Sequence, residues 1–524
     1  MLRRLLSGVV TGLVATASGP AASSAVAAED PFDVSVRNAQ SFALNRLGAT
    51  TARIPVTAWP SVTASSLRWS TTGASAWTSG FLPGALWFGY QQSATEAWRT
   101  KAQNWQSGLA GQAGNTSTHD VGFVVLDSFG NGYRLTGNDA YRQTVLKAAA
   151  SLATRYSGVV GATRSWNSDP SQFKVIVDNM MNLELLFWAS KHGGQRAWYD
   201  MAVQHALTTA REHVRADGST YHLVVFNPAT GAVLSKETVQ GYSASSTWAR
   251  GQAWAVYGFT MAYRETGDAR FLDTARRVAD WFVAHLPADR VPYWDFDDPS
   301  IPNAPRDTSA AAIAASGLLE LSRLDPDVAR AGGYAGAARG ILAALVAPPW
   351  LSTGSGSEAE LLHGTANRPA GSSDTGLIYG DYYLQEALLR LRRLPPAGPP
   401  LAPRAVSASS NDGNVPANAI DGKLSTRWSA SGDGQWLRMD LGAARPVTKV
   451  TVAFYRGDVR AARFDVQAST DGTTWKTLTR TIASGTTLDR ETYDVPDTSA
   501  RYVRLVGHGA PGTTFTSVTE FTVY

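Results

Sequence analysis

The chain has 524 residues, of which 44% are apolar and 17% charged, a balance typical of a well-buried protein and not of a disordered one. A formal net charge of +4 without any Lys/Arg block leaves no nucleic-acid footprint, and the absence of cysteine excludes disulfides, zinc thiolates and cysteine nucleophiles. The length exceeds one ordinary core, so two folded units are expected. Seventeen Trp and eighteen Tyr stand out instead. An indole face matches the C–H surface of a pyranose, although core filling accounts for most such residues.

Residues 1–28 combine Arg3 and Arg4, an apolar stretch and small residues at Ala25–Ala28. That is the pattern of a secretory signal peptide, so export is expected, by the general or the twin-arginine route. No later apolar run is long enough to span a membrane, and no membrane partner is expected.

The stretch STHDVGFVVLDSF, residues 117–129, sets His119 and Asp120 before an apolar helix starting near Val121. Thr118 or Asp120 can cap that helix, or the dipeptide can be half of a catalytic pair. Next, YRLTGNDAYRQTVLKAAASLATRY at Tyr133 recurs as YRETGDARFLDTARRVADWFVAHL at Tyr263, with FWASKHGGQRAWYDMAVQHALTTAREHV built alike between them. In each, glycine suits a helix end and the next residues start another helix. Units of roughly 60 residues, each an αα-hairpin, must stack to bury their apolar faces, and about six would close a ring.

In FKVIVDNMMNLELLFWAS, Asp178 interrupts an apolar run read as helix, with Asn182 one turn on. Desolvation there penalises the charged carboxylate, which is the behaviour of a general acid; a satisfied buried carboxylate is the alternative. A hairpin turning at Asn227–Gly231 carries His222, the following loop carries Gln240, and the next helix opens with Arg250 and, one turn on, Trp254. A planar cation and an indole on one helix face can meet one ligand, or they can be an ion pair and a core residue. There is no GxSxG, HExxH or GxxxxGK[ST].

The helical pattern ends at Pro395 and Pro396, and a proline-rich linker, residues 395–404, separates the helical region 29–394 from a β region 405–524. There, RFDVQASTDGTTWKTL alternates and turns at Asp471–Gly472, a β-hairpin signal within an all-β sandwich.

Taken together, TSTHDVGF, VDNMMN, the spaced His222 and Gln240, RGQAW, WTSGFLPGALW and SSDTGLIYGDYYLQEALLRL resemble the unsaturated glucuronyl hydrolases of glycoside hydrolase family 88. The resemblance covers about Asp33 to Leu394 and implies an (α/α)6 barrel with no metal or organic cofactor for catalysis. It also implies Asp178 as acid/base, Asp120 as the second essential aspartate, and His119, His222, Gln240, Arg250, Trp254 and Trp77 as substrate contacts. The implied substrate is an oligosaccharide from a polysaccharide lyase, ending in a 4,5-unsaturated uronic acid whose vinyl ether is hydrated. Departures from the family pattern concentrate in TGSGSEAELLHGTANRPAGSSD, where Arg368, Ser372 and Ser373 are candidate donors to the next sugar. The related unsaturated rhamnogalacturonyl hydrolases, a catalytically dead sugar-binding barrel and an α/α lyase are the competing readings.

The segments NDGNVPANAIDGKLSTRWSASGDGQWLRMDLG and FTSVTEFTVY resemble the coagulation factor 5/8 type C, or discoidin-like, domain, which implies a jelly-roll sandwich acting as a carbohydrate-binding module of family 32. The resemblance further implies a structural calcium near Asp421, Thr426 and Glu520, and polysaccharide contacts for which Phe454, Arg456 and His508 are candidates.

Overall fold

The computed structural model describes residues 29–524, so the expected signal peptide, residues 1–28, lies outside the described residues. Apolar stripes punctuated by glycines and capping residues fold the first region into α1 (Pro31–Arg53), α2 (Phe81–Ser93), α3 (Glu96–Ser107), α4 (Val121–Val125), α5 (Asn131–Thr136), α6 (Asp139–Ala153), α7 (Asn179–Lys191), α8 (Arg196–Glu212), α9 (Ala249–Thr266), α10 (Ala269–Ala284), α11 (Thr308–Leu324), α12 (Val328–Leu345) and α13 (Ile378–Arg390). The two YRxTG repeats end α5 and α9: Gly137 and Gly267 take φ of 67° and 68°, which glycine adopts without a Cβ penalty. Asn138 and Asp268 then cap α6 and α10 by accepting the N–H of Ala140 and Arg270.

Helices α2, α4–α5, α7, α9, α11 and α13 pack each against the next, and α13 returns to α2, closing an inner ring. The helices between them cover it, giving an (α/α)6 barrel. Inside lie Phe81, Trp87, Phe187, Trp254, Phe259, Tyr379 and Tyr383, all fully buried. A five-residue π-helical turn, Leu126–Gly130, joins α4 to α5.

Short strands decorate the barrel: β1 (Trp59–Thr63) with β2 (Trp69–Thr72), β3 (Tyr156–Ser157) with β4 (Ala162–Thr163), and β5 (Phe173–Ile176), β6 (Leu223–Phe226) and β7 (Val233–Glu237) in one antiparallel sheet. One expectation is corrected here. The run before Asp178 is strand β5, not helix, because its Val and Ile side chains bury against β6, and α7 starts only after Asp178.

The β region comprises β8 (Ala405–Ala408), β9 (Trp428–Ser431), β10 (Gln435–Phe454), β11 (Arg463–Ser469), β12 (Lys476–Ile482), β13 (Glu491–Gly507) and β14 (Phe515–Val523). Strands β10 and β13 pair along most of their length, with register shifts between Asp440 and Arg445 and between Val447 and Lys449. Their two halves therefore serve different layers. The first half of β10 pairs with β8 and the far half of β13, which continues to β11 and β12; the second half pairs with β14, which continues to β9. Between the layers lie Trp428, Leu437, Val450, Val452, Phe464, Val466, Leu505 and Phe521. The proline linker is not free: Leu401 donates its N–H to Val523 at 2.8 Å and so lies along the sandwich.

Candidate active site

Helices α4, α7, α9 and α11 start at one end of the barrel, and each opens on a residue with chemistry. Asp120 is the N-cap residue of α4 and Asp178 that of α7, yet neither side chain caps its helix. Asp120 Oδ2 instead accepts the Thr118 hydroxyl at 2.8 Å, and its Oδ1 lies 3.4 Å from His119 Nε2. Asp178 Oδ2 is buried without a hydrogen-bond partner. Burial pushes its pKa up to about 7; the Arg250 guanidinium opposes the rise and the Asp120 charge adds to it. The Trp254 indole N–H faces Asp178 without completing a hydrogen bond to any protein acceptor.

Strand pairing sets His222 beside Asp178. Ile176 is in register with Leu223, and Val177 donates its N–H to the His222 carbonyl at 2.9 Å, so the residues flanking the two strands are neighbours. His222 Nε2 stands 3.8 Å from Asp178 Oδ2. Its Nδ1 accepts the Val239 N–H at 3.1 Å, which fixes the proton on Nε2 and aims it at the carboxyl. Burial pushes the His222 pKa down to about 3, so the ring is neutral. Burial lowers the pKa of His119 as well.

Arg250 is pinned by protein acceptors. It donates to Asp307 Oδ2 at 2.7 Å and to the carbonyls of Thr365 and Ala366, with both charged groups fully buried. The same loop is held by Gln240, whose amide donates to the Ala366 carbonyl at 3.1 Å. Trp254, implied by the resemblance as a substrate contact, is 1% exposed and packed against Phe123 and Tyr383, so it offers the site its N–H edge and not a face. Trp77 is half-buried against Tyr379, with ring centroids 4.8 Å apart.

Two residues escaped the sequence reading, Asp307 and Tyr379, because their partners lie far along the chain; the buried Tyr379 hydroxyl, without a hydrogen-bond partner, faces the charged cluster of Arg250, Asp307 and Asp178. On the rim, a cavity of about 320 Å³ is lined by Tyr242, Trp294, Asp298, Ser300 and Arg368. Arg368 is exposed, with Ser373 Oγ at 3.5 Å, and Ser372 pairs with Asn367 across a tight hairpin.

A buried acid with a neutral histidine at the mouth of an (α/α)6 barrel narrows the family. The model of glycosyl hydrolase family 88 matches residues 52–280. The unsaturated glucuronyl hydrolase of Formosa agariphila is 42% identical over 325 residues, spanning 61% of this chain and 80% of that protein. The chain belongs to glycosyl hydrolase family 88. The unsaturated chondroitin disaccharide hydrolase of Streptococcus pneumoniae is 36% identical over 323 residues, 60% of this chain and 81% of that one. A solved unsaturated glucuronyl hydrolase specific for heparin superposes with a TM-score of 0.66 at 37% identity, covering 69% of this chain and 98% of that chain. The family 88 barrel is followed by an F5/8 type C domain, matched over residues 405–521.

In that second domain, two expectations change. Phe454 is 4% exposed and packs on Phe464 in the core, so it contacts no sugar. His508 sits between carboxylates, 2.6 Å from Asp433 and 3.4 Å from Asp465. Arg456 is exposed in a loop with φ of 57°. Of the calcium candidates, Asp421 accepts the Thr426 hydroxyl at 2.8 Å, and Glu520 is 3.2 Å from Arg490 with its Oε1 buried and bare. Among the described residues no cluster of acidic or histidine side chains can hold a metal, so a calcium there would draw most of its six to eight oxygens from backbone carbonyls.

Proposed function

We propose that the protein is an unsaturated glucuronyl hydrolase that releases a 4,5-unsaturated uronic acid from the non-reducing end of acidic oligosaccharides, with Asp178 carrying the proton in both directions. Asp178, with one oxygen unpartnered and its pKa pushed up to about 7 by burial, is the observation that supports this reading most directly. A carboxyl group poised near neutrality holds a proton to give and, once ionised, takes one back. In the first step it protonates carbon 4 of the vinyl ether, leaving an oxocarbenium-like centre at carbon 5. Water then adds at carbon 5 and returns its proton to the Asp178 carboxylate. The hemiketal opens spontaneously, and the sugar beneath departs.

The other groups position and polarise. The Nε2–H of His222 points toward Asp178, and the Trp254 N–H approaches the same carboxyl. Asp120, held by Thr118, raises the proton affinity of Asp178 through its charge and stands at the sugar ring as a hydrogen-bond acceptor. Trp77 lies half-buried, able to stack on the flattened ring. Arg250 and Gln240 hold the loop at residues 365–366 that walls the site. The rim cavity at Arg368 is the place for the next sugar.

Incubation with lyase-generated unsaturated disaccharides should remove the ultraviolet absorbance of the conjugated uronate, and Asp178→Asn should abolish that loss while binding persists. A rise in absorbance on intact polymer would mean a lyase, and no change at all a binding protein. Substantial turnover by the Asn variant would remove Asp178 from its role.

A further inference from the structure

The outer face of the layer β8–β10–β13–β11–β12 carries a row of polar side chains running across the strands. Register places Ser407 beside Arg438, Arg438 beside Arg504, Arg504 beside Gln467 and Gln467 beside Thr477. Two arginines directly opposite each other repel, an arrangement that costs stability in a sheet. Carboxylates on the same face do not relieve it. Asp440 is taken by Arg501 at 2.9 Å and Asp465 by Arg480 at 3.0 Å, and among the described residues no carboxylate comes within ion-pair distance of Arg438 or Arg504.

Both guanidinium groups are nonetheless fixed. Arg438 donates through Nε to Ser407 Oγ at 3.1 Å and Arg504 through Nε to Gln467 Oε1 at 2.8 Å, which leaves the Nη ends of both unspent. Aromatic rings brace them: Arg504 lies over Trp475 at 3.9 Å, and Arg438 lies 5.3 Å from Trp436 and 5.4 Å from Tyr502. All three rings are half-buried, with part of each surface open. Burial and the neighbouring Arg438 both lower the Arg504 pKa. Neither Arg438 nor Arg504 makes a hydrogen bond or ion pair to the helical domain among the described residues; on this face that contact is made at the far end of β11, where Arg463 pairs with Glu96 at 3.3 Å.

We propose that this face is a binding site for a linear polyuronate chain, in which Arg438 and Arg504 clamp one uronate carboxylate and Trp436, Trp475 and Tyr502 pack against the flanking sugar rings. Planar guanidinium forks match a planar carboxylate, and aromatic faces match pyranose C–H surfaces. The charge is two groups and not a track, which fits spaced carboxylates on a sugar chain. The choice of a uronate rests on the activity proposed above, whose oligosaccharides come from a uronate polymer. The site then keeps the enzyme on the material that supplies its substrate.

Calorimetric titration of the full chain with hyaluronan, in which a uronate alternates with an uncharged sugar, and with alginate, an unsulfated polyuronate, should show binding to at least one, lost when the carboxyls are reduced to alcohols. The R438Q/R504Q variant should bind at least about tenfold more weakly, and Trp475→Ala should weaken binding too. Turnover of unsaturated disaccharide should stay at the wild-type level in both variants. Because the double variant removes a like-charge pair, its melting temperature should hold or rise. Wild-type-like binding by the double variant, equal affinity for carboxyl-reduced polymer, binding of sulfated chains only, or a lower melting temperature without the pair would each overturn the proposal. Absent turnover with intact polyuronate binding would instead count against the active-site reading alone.

Discussion

At the scale of single residues, the decisive quantity is the proton affinity of Asp178. Its folded pKa, pushed up to about 7 by burial, exceeds the ordinary carboxylate value of 3.8. The protonated form is the one stabilised by folding, so this stability is full below about pH 4 and is lost as pH rises through about 7. A shift of this size bounds the loss at about 4 kcal/mol. Asp178→Asn has no proton to lose, so it should melt above the wild type at pH 8 and converge with it near pH 4; a constant gap in calorimetric scans would contradict the burial argument. For the same reason kcat/KM of the wild type should fall as pH rises through about 7, where the acid form disappears. Asp178 stood out in the sequence because a carboxylate in an apolar run is rare and expensive, whereas the residues alone left Asp120 as a helix cap or half of a pair, and only the family resemblance singled it out. Asp307 did not stand out, since its meaning lies in Arg250, 57 positions before it, and Phe454 misled because its exposure depends on which face of β10 turns inward.

At the scale of elements, the site depends on how closely α4 approaches α7. Asn182 Oδ1 accepts the Phe123 N–H at 3.1 Å, bonding the two helices directly. A Cβ on Gly122 would stand 2.4 Å from Asn182 Oδ1 and 3.0 Å from Asn182 Cα, so Gly122→Ala must push the helices apart. Overpacking of this kind costs about 1–3 kcal/mol. The larger effect falls on rate, because Asp120 and Asp178 sit at the ends of these same two helices, and a displacement near 1 Å at a reacting centre costs about 100-fold. Steady-state kinetics of Gly122→Ala should show that loss in kcat/KM with a modest drop in melting temperature; full activity would mean that the helix contact does not set the site. The glycine in HDVGF thus has a packing reason that a linear reading could not supply, because Asn182 lies 59 positions away from its hydrogen-bond donor. The helix ends at Gly137 and Gly267 were readable because glycine followed by Asn or Asp is local chemistry. Strand β5 was not, because a short apolar run suits strand and helix equally, and only its pairing with β6 decides.

At the scale of the whole molecule, two folded units and a proline-rich boundary were visible in composition, whereas the docking of one unit on the other was not. The proposed catalytic residues sit at the N-terminal ends of the inner helices, and the β domain meets the opposite ends. Thr481 donates to the Gln91 carbonyl at 3.1 Å near the end of α2, Arg392 donates to the Ile482 carbonyl at 3.2 Å just beyond α13, and Arg323 at the end of α11 pairs with Asp489 at 3.0 Å. Arg134 in the last turn of α5 donates to the Ser484 carbonyl at 2.6 Å, and desolvation at this half-buried contact pushes its pKa down to about 10. Ala461 and Ile482 belong to the barrel core itself, and Arg37 and Asp33 of α1 pair with Asp494 and Lys449. The β domain therefore closes the back of the barrel as a fixed plug, not a tethered appendage. Removing residues 395–524 would expose Arg134 and the apolar seat of Ile482, a side chain whose burial alone stabilises by about 1.5–3 kcal/mol. The truncated chain should melt several degrees below the full one, and the full chain should unfold in a single calorimetric transition that includes both domains. Folded truncated protein should turn over unsaturated disaccharide with unchanged kcat/KM, since no β-domain residue reaches the catalytic end. Two separate transitions in the intact protein, with the barrel melting at the same temperature alone, would show that the contact surface carries no stability and that the domains are merely adjacent.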